Sequence, residues 1–146
     1  MTTYSFLNVQ ASIVGPGGAF SIGSDAGAAE EGISTSFVED KNTMTTGAGG
    51  DVMHSLHAGK AGQITVRLLK TSPVNQKLSA LYNLQTNGGG SLHGLNLITV
   101  RDTARGDVVI GREAAFKKHP DLSFAKVGNT VEWVFDVGKL DEMLGA

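Results

Sequence analysis

A chain of 146 residues is one domain by length, able on folding to hide roughly 68 to 70 per cent of the surface its unfolded form exposes. It contains no cysteine, so disulfides, thiolate zinc sites and cysteine nucleophiles are excluded by count. Twelve basic and 14 acidic side chains leave a net charge of −2 without a long like-charge block, which argues against a protein built to grip phosphates strongly. The start, MTTYSFLNVQ, lacks the basic and apolar regions of a signal peptide, and nowhere is there an 18-residue apolar run. The expectation is synthesis in the cytoplasm with no membrane segment.

From Phe6 to Val14, Leu7, Val9, Ala11 and Ile13 alternate with polar residues, the period-2 pattern of a strand with one apolar face. Gly15, Pro16, Gly17 and Gly18 supply a turn, and Ala19 to Ile22 pair back as a hairpin. Residues 23–32 are small, acidic and loop-like. Ile33, Thr35 and Phe37 resume the alternation and lead into DKNTMTTGAGGDVMHSLHAGKAG, from Asp40 to Gly62. A polar connection of that length inside a compact domain is either a functional arm or a disordered excursion.

The interior decides for an arm. Gly47, Ala48, Gly49 and Gly50 form a turn-like tip between Thr43, Met44, Thr45, Thr46 and Val52, Met53, His54, Leu56, flanks of strand-compatible character. A protruding two-stranded ribbon is marginal in water and cannot bury Met44, Val52, Met53 and Leu56 alone, so its destination is a neighbouring copy.

After the arm, Ile64, Val66 and Leu68 alternate with polar residues, predicting another strand. The helix signal follows: Ser72 as N-cap, Pro73 at the first helical position, then Val74, Leu78, Leu81 and Tyr82 on one face, stopped by Asn87 to Gly90. Leu95–Thr103 and Val108–Ile110 read as a hairpin around Ala104 to Asp107, with Gly106 free to take positive φ. Pro120 breaks a strand-like run through Ala114 to Lys118, and a turn at Gly128 and Asn129 leads into Thr130–Val137, where Val131, Trp133, Phe135 and Val137 share a face. Twenty glycines, about twice average usage, fit such a turn-rich β protein. The predicted fold is mainly β: one domain over residues 1–146, an antiparallel β-sandwich or partly open barrel with one flanking α-helix and a long protruding β-arm at about 40–62.

Signals for chemistry are thin, and the chain reads as a non-enzyme without cofactor or metal. Asp51, His54 and His57 make a nominal metal cluster, but in an extended arm an odd separation sends the two imidazoles to opposite faces. His93 and His119 lack a neighbouring serine and acid in a nucleophile arrangement, and there is no G-x-S-x-G elbow. The acid pairs Glu30, Glu31 and Glu39, Asp40 sit in solvated loop contexts. The glycines of the arm lack the Lys-Ser/Thr of a phosphate loop. Arg105-Gly106-Asp107 is turn chemistry, and Lys117, Lys118 mark a solvated edge strand that discourages stray pairing.

The run Thr65 to Asn75 (TVRLLKTSPVN), together with Glu39-Asp40-Lys41-Asn42, Met53-His54-Ser55, Lys117-Lys118 and Glu132-Trp133-Val134, resembles the tail tube proteins of tailed bacteriophages, particularly those of contractile-tailed phages, over most of the chain. The resemblance implies a structural virion protein of the tail, assembling into stacked, roughly hexameric rings that form an inner conduit for DNA ejection. It further implies sheath, baseplate or initiator, and tail terminator partners, with DNA passing through the lumen without specific binding. Related tubes occur in bacteriocins and type VI secretion, so a phage-derived injection system is the nearest alternative. A standalone ligand-binding β domain is the rival of another class.

Overall fold

The structure, a computed structural model, describes residues 3–146, the side chain of Glu31 excepted. Its centre is one seven-stranded antiparallel sheet in the order β2-β1-β7-β8-β9-β6-β3. The strands are β1 (Val9–Gly15), β2 (Gly18–Ser21), β3 (Ala28–Phe37), β6 (Gly62–Leu69), β7 (Asn96–Asp102), β8 (Val108–Phe116) and β9 (Thr130–Met143). Between β3 and β6 the chain leaves the sheet to form a separate ribbon of β4 (Asn42–Thr46) and β5 (Val52–Leu56). The outer strands β2 and β3 do not pair with each other. The sheet is therefore a half-barrel, the partly open barrel of the two expected forms.

Alternation builds the core. Ala11 and Ile13 of β1, Ile98 of β7, Ile64, Val66 and Leu68 of β6, and Val131, Trp133, Phe135 and Val137 of β9 all point to one face and are buried. The helix α1 (Val74–Asn87) covers that face through Val74, Leu78, Leu81 and Gln85, positions four, three and four apart that lie on one side of a helix. Phe116 anchors an aromatic cluster beneath it, with ring centroids 4.7 Å from Phe135, 5.7 Å from Trp133 and 5.5 Å from Tyr82. Edge and tilted packing of this kind adds about 0.5–1.5 kcal/mol per pair beyond area burial.

The start of α1 rests on two residues. Pro73 stands just before the first helical residue at φ −66° and ψ −17° and makes no side-chain cap, while Ser72 Oγ accepts the Val74 amide at 3.3 Å and donates to the Ala26 carbonyl. The expected stop holds at Gly88, whose N–H bonds the Leu84 carbonyl, but Asn87 is the last helical residue and not part of the stop.

Four other expectations change. Leu7 lies in a 3-10 turn at Phe6–Asn8, capped by Ser5, and is exposed; the turn ends the alternation two residues before β1. Residues 23–32 are not all loop, because β3 starts at Ala28 and pairs Ala28 with Leu68 across a register shift before Ile33. Strand β8 continues from Ile110 to Phe116, and β9 from Val137 to Met143. Both extensions pass a kink that no alternation rule predicts. Glu113 holds φ 54°, opposite Gly138, and the buried positions of β9 shift from Val137 to Leu140, so parity changes within one strand. A Cβ on Gly138 would crowd the Glu113 side chain, whose exposed carboxylate would have to swing aside.

The hairpin from β7 to β8 forms as expected. Asp102 Oδ1 accepts the amides of Ala104 and Arg105, Gly106 takes φ 87°, and its N–H closes on the Asp102 carbonyl at 2.8 Å. Arg105-Gly106-Asp107 is thus a turn held by its own backbone.

Candidate assembly site

The ribbon of β4 and β5 pairs Asn42 with Leu56, Met44 with His54 and Thr46 with Val52. Its tip is closed by the Gly47 amide on the Asp51 carbonyl at 2.7 Å and by the Gly50 amide on the Gly47 carbonyl at 3.0 Å. Gly50 sits at φ 89°, a conformation glycine adopts without a Cβ penalty. Period-2 alternation sorts the ribbon into two faces. Met44, Val52 and Leu56 share one with Asn42, Thr46 and His54; Thr43, Thr45, Met53 and Ser55 form the other. Met44, Val52, Met53 and Leu56 are all more than half exposed, Leu56 at 81%. No side chain of the main sheet covers either strand: nine of the ten strand residues are exposed, and Ser55 is half-buried.

The two histidines take opposite faces, as their spacing predicts. His54 Nδ1 lies 3.2 Å from Asn42 Nδ2, and His57 Nε2 lies 2.7 Å from Thr43 Oγ1. Each imidazole thus locks the ribbon across its strands. Among the described residues no group of three or more histidine or acidic side chains is arranged to hold a metal.

The root of the arm is tied down. Lys41 Nζ donates to the Gly59 carbonyl at 3.2 Å, and the Lys60 carbonyl accepts the Leu140 amide at 2.8 Å. Gly62 begins β6, where a Cβ would strike the Ser36 carbonyl and Leu140. Lys60 Nζ also reaches Asp141 at 3.1 Å, and Arg112 meets the same carboxylate at 2.6 Å. The Lys60 hydrogen bond, ahead of Arg112, holds the Asp141 carboxyl below its ordinary value of 3.8.

The sheet face away from the helix carries several matched charges, but exposed Arg101 of β7 has no ion pair among the described residues, and Val14, Leu97 and Leu69 lie exposed among its polar positions. Arg67 pairs with Glu132 at 3.2 Å and donates to Ser34 at 2.7 Å, Gln63 donates to Asp136 at 3.1 Å, and Lys139 lies 3.7 Å from Glu113. Ser12 and Thr99 sit side by side on β1 and β7.

One surface escaped the sequence reading. The segment 117–129, between β8 and β9, belongs to no helix or strand and exposes Leu122, Phe124 and Val127, with Phe124 at 84%. Lys70 organises it, donating to the Ser123 carbonyl at 3.0 Å and standing over the Phe124 ring at 4.1 Å. Lys117 and Lys118 lie at its start, where the Lys117 amide still bonds the Val134 carbonyl and Lys118 is 3.7 Å from Asp121. His119 does have a serine partner: Ser79 Oγ is 3.1 Å from Nε2, while Nδ1 faces the Pro120 carbonyl at 3.3 Å. No acid joins them. The ring packs edge-on to Tyr82 and Trp133 at 5.3 and 5.2 Å, so the dyad clamps the segment onto helix and sheet. Of the acid pairs, Glu30, Glu39 and Asp40 are exposed; the Glu31 side chain lies outside the described residues.

The same half-barrel occurs in solved assemblies. A chain of the cryo-EM structure of the sheath/tube terminator of PVC, an extracellular contractile injection system in its extended state, superposes with a TM-score of 0.58 at 10% identity, covering 98% of each chain. A chain of the virion of a native gene transfer agent particle gives 0.58 at 12%, covering 99% of this chain and 100% of that one. A chain of the PVC sheath-tube complex gives 0.54 at 9%, covering 92% and 88%. At such identities the likeness defines the fold, a half-barrel shared with subunits of contractile injection systems and related particles. Among curated protein sequences no relative matches. The family is nonetheless definite: the profile of the bacteriophage PhiTE tail tube protein matches residues 1–145, and the chain belongs to that family. It is a structural, non-enzymatic component of the phage tail tube and of the virion.

Proposed function

We propose that this tail tube protein closes into rings of roughly six copies and that the rings stack, through the arm, into a channel for DNA. The observation that carries this reading is the exposed ribbon of β4 and β5, whose apolar face no described residue of its own chain covers. The free outer edges of β2 and β3 support ring closure: cyclic pairing removes both edges, which otherwise invite aggregation. An axial contact of a different kind repeats without closing, and the product is a tube of fixed width. The face away from the helix suits a channel wall in part: Arg67 and Arg112 are matched by Glu132 and Asp141, and Ser12, Thr99 and Gln63 lie among them, while Arg101 has no carboxylate partner among the described residues. The similarity to a chain of a sheath-tube complex supports a contractile sheath as outer partner, and that to a terminator chain supports a capping protein at the tube end. A baseplate or initiator protein would start the stack.

A standalone binding domain is disfavoured by its own surface. A depression of about 590 Å³ has a mixed lining, Leu7, Val9 and Ala11 beside Ser12, Asp25, Thr99 and Arg101, with no aromatic side chain, whereas small-molecule sites are lined predominantly by hydrophobic and aromatic side chains. Negative-stain microscopy of the purified chain tests the proposal. Stacked rings are expected; a persistent monomer at high concentration would overturn it.

A further inference from the structure

Two unsatisfied surfaces lie at opposite ends of the molecule. The arm joins β6 at Gly62, while Leu69, at the far end of the same strand, adjoins Lys70 and the 117–129 segment it holds. Seven residues of strand separate them, about 23 Å. Both carry exposed apolar side chains in sets of three: Met44, Val52 and Leu56 on one face of the arm, Leu122, Phe124 and Val127 on the segment. Their charges are opposite. Residues 39–57 hold three carboxylates against one lysine, −2, and residues 117–129 hold three lysines against one carboxylate, +2.

We infer that the apolar face of the arm of one copy docks onto the Leu122, Phe124 and Val127 segment of the next copy along the tube axis. This rests on the tube reading above. A surface at one end that complements a surface at the other is heterologous and, stacked by translation, does not close. The apolar sets supply the burial that each lacks within its own chain. The charges set which surfaces meet and suppress pairing of arm with arm or segment with segment. Phe124 is the anchor: an aromatic ring standing in solvent with Lys70 Nζ 4.1 Å over its face, the residue type that dominates interface energetics once buried.

The experiment uses the full chain and starts from wild-type tubes. Phe124 is largely exposed, so Phe124→Asp should change the monomer's thermal unfolding little while raising the concentration needed for tube formation at least about tenfold, the loss expected for one buried Phe. The absence of native cysteine allows a direct probe. Thr46→Cys, on the apolar face of the arm, combined with Ser123→Cys should give a ladder of disulfide-linked chains in oxidised tubes, and neither single variant should. Wild-type tubes with normal assembly of Phe124→Asp and no ladder from the double variant would overturn this pairing while leaving the tube intact. Failure of the wild-type chain to form tubes would overturn the tube reading and this inference with it.

Discussion

One buried polar residue of the core is not singled out by the sequence pattern. Gln85, on the buried face of α1, exchanges two 2.7 Å hydrogen bonds with Asn96 of β7 and donates a third to the Pro16 carbonyl. Removing one partner strands the other amide in the core, a cost of about 1–3 kcal/mol for the unsatisfied group. Gln85→Ala should therefore lower stability by about 2–3 kcal/mol in chemical denaturation, and Gln85→Leu with Asn96→Leu should recover part of that; a loss under 0.5 kcal/mol for the single variant would contradict the account. At the arm root, Asp141 offers a pH test. Its folded-state pKa lies below the ordinary 3.8, so whatever its ion pairs add to stability is complete above that pH and disappears as the pH falls below it. In an NMR titration Lys60→Ala should move the Asp141 midpoint up toward 3.8, and an unchanged midpoint would show that Lys60 is not the cause. Neither pair was legible in the sequence, because a Gln at a helix position and a Lys in a Gly-rich loop acquire their roles only from long-range partners.

At the level of elements, alternation and turn chemistry were readable where the period held. Val131, Trp133, Phe135 and Val137 marked the buried face of β9, and Gly106 marked the turn before β8. The reading ran out where the period breaks: at Leu7, turned aside by a 3-10 turn, and beyond Val137, where the kink at Glu113 and Gly138 moves the inward position by one residue. The arm was legible from its glycine tip and β-branched flanks, but the 117–129 segment was not, because an apolar loop has no period at all. The arm's independence can be measured. Its strands share no side-chain packing with the core, so replacing Thr43 to Leu56 by a short Gly/Ser linker should leave a soluble monomer that unfolds cooperatively with stability within about 1 kcal/mol of the parent. Loss of tubes is the expected assembly result, and tubes of normal appearance from this deletion would end the case for the arm.

For the whole molecule, charge decides how DNA would travel. Duplex DNA carries about one negative charge per 1.7 Å, so a wall of free lysine and arginine would hold it by counterion release. At −2 per chain, a ring of about six copies carries about −12, and on the helix-free face Arg67, Arg112 and Lys139 are matched to Glu132, Asp141 and Glu113, which leaves Arg101 as the cation without an ion pair there among the described residues. Assembled tubes should bind duplex DNA weakly at physiological salt, with a slope of log affinity against log salt near zero. A steep negative slope would rule out a sliding wall. The proposal of ring closure and stacking came from the family resemblance; the residues alone pointed to an arm seeking a partner. The placement of the arm at one end of β6 and the lysine-rich segment at the other carries one more consequence. A stack built this way has a direction: one terminus presents acidic hairpins and the other basic aromatic loops, so growth, capping and poisoning by a loose fragment become separate events at separate ends.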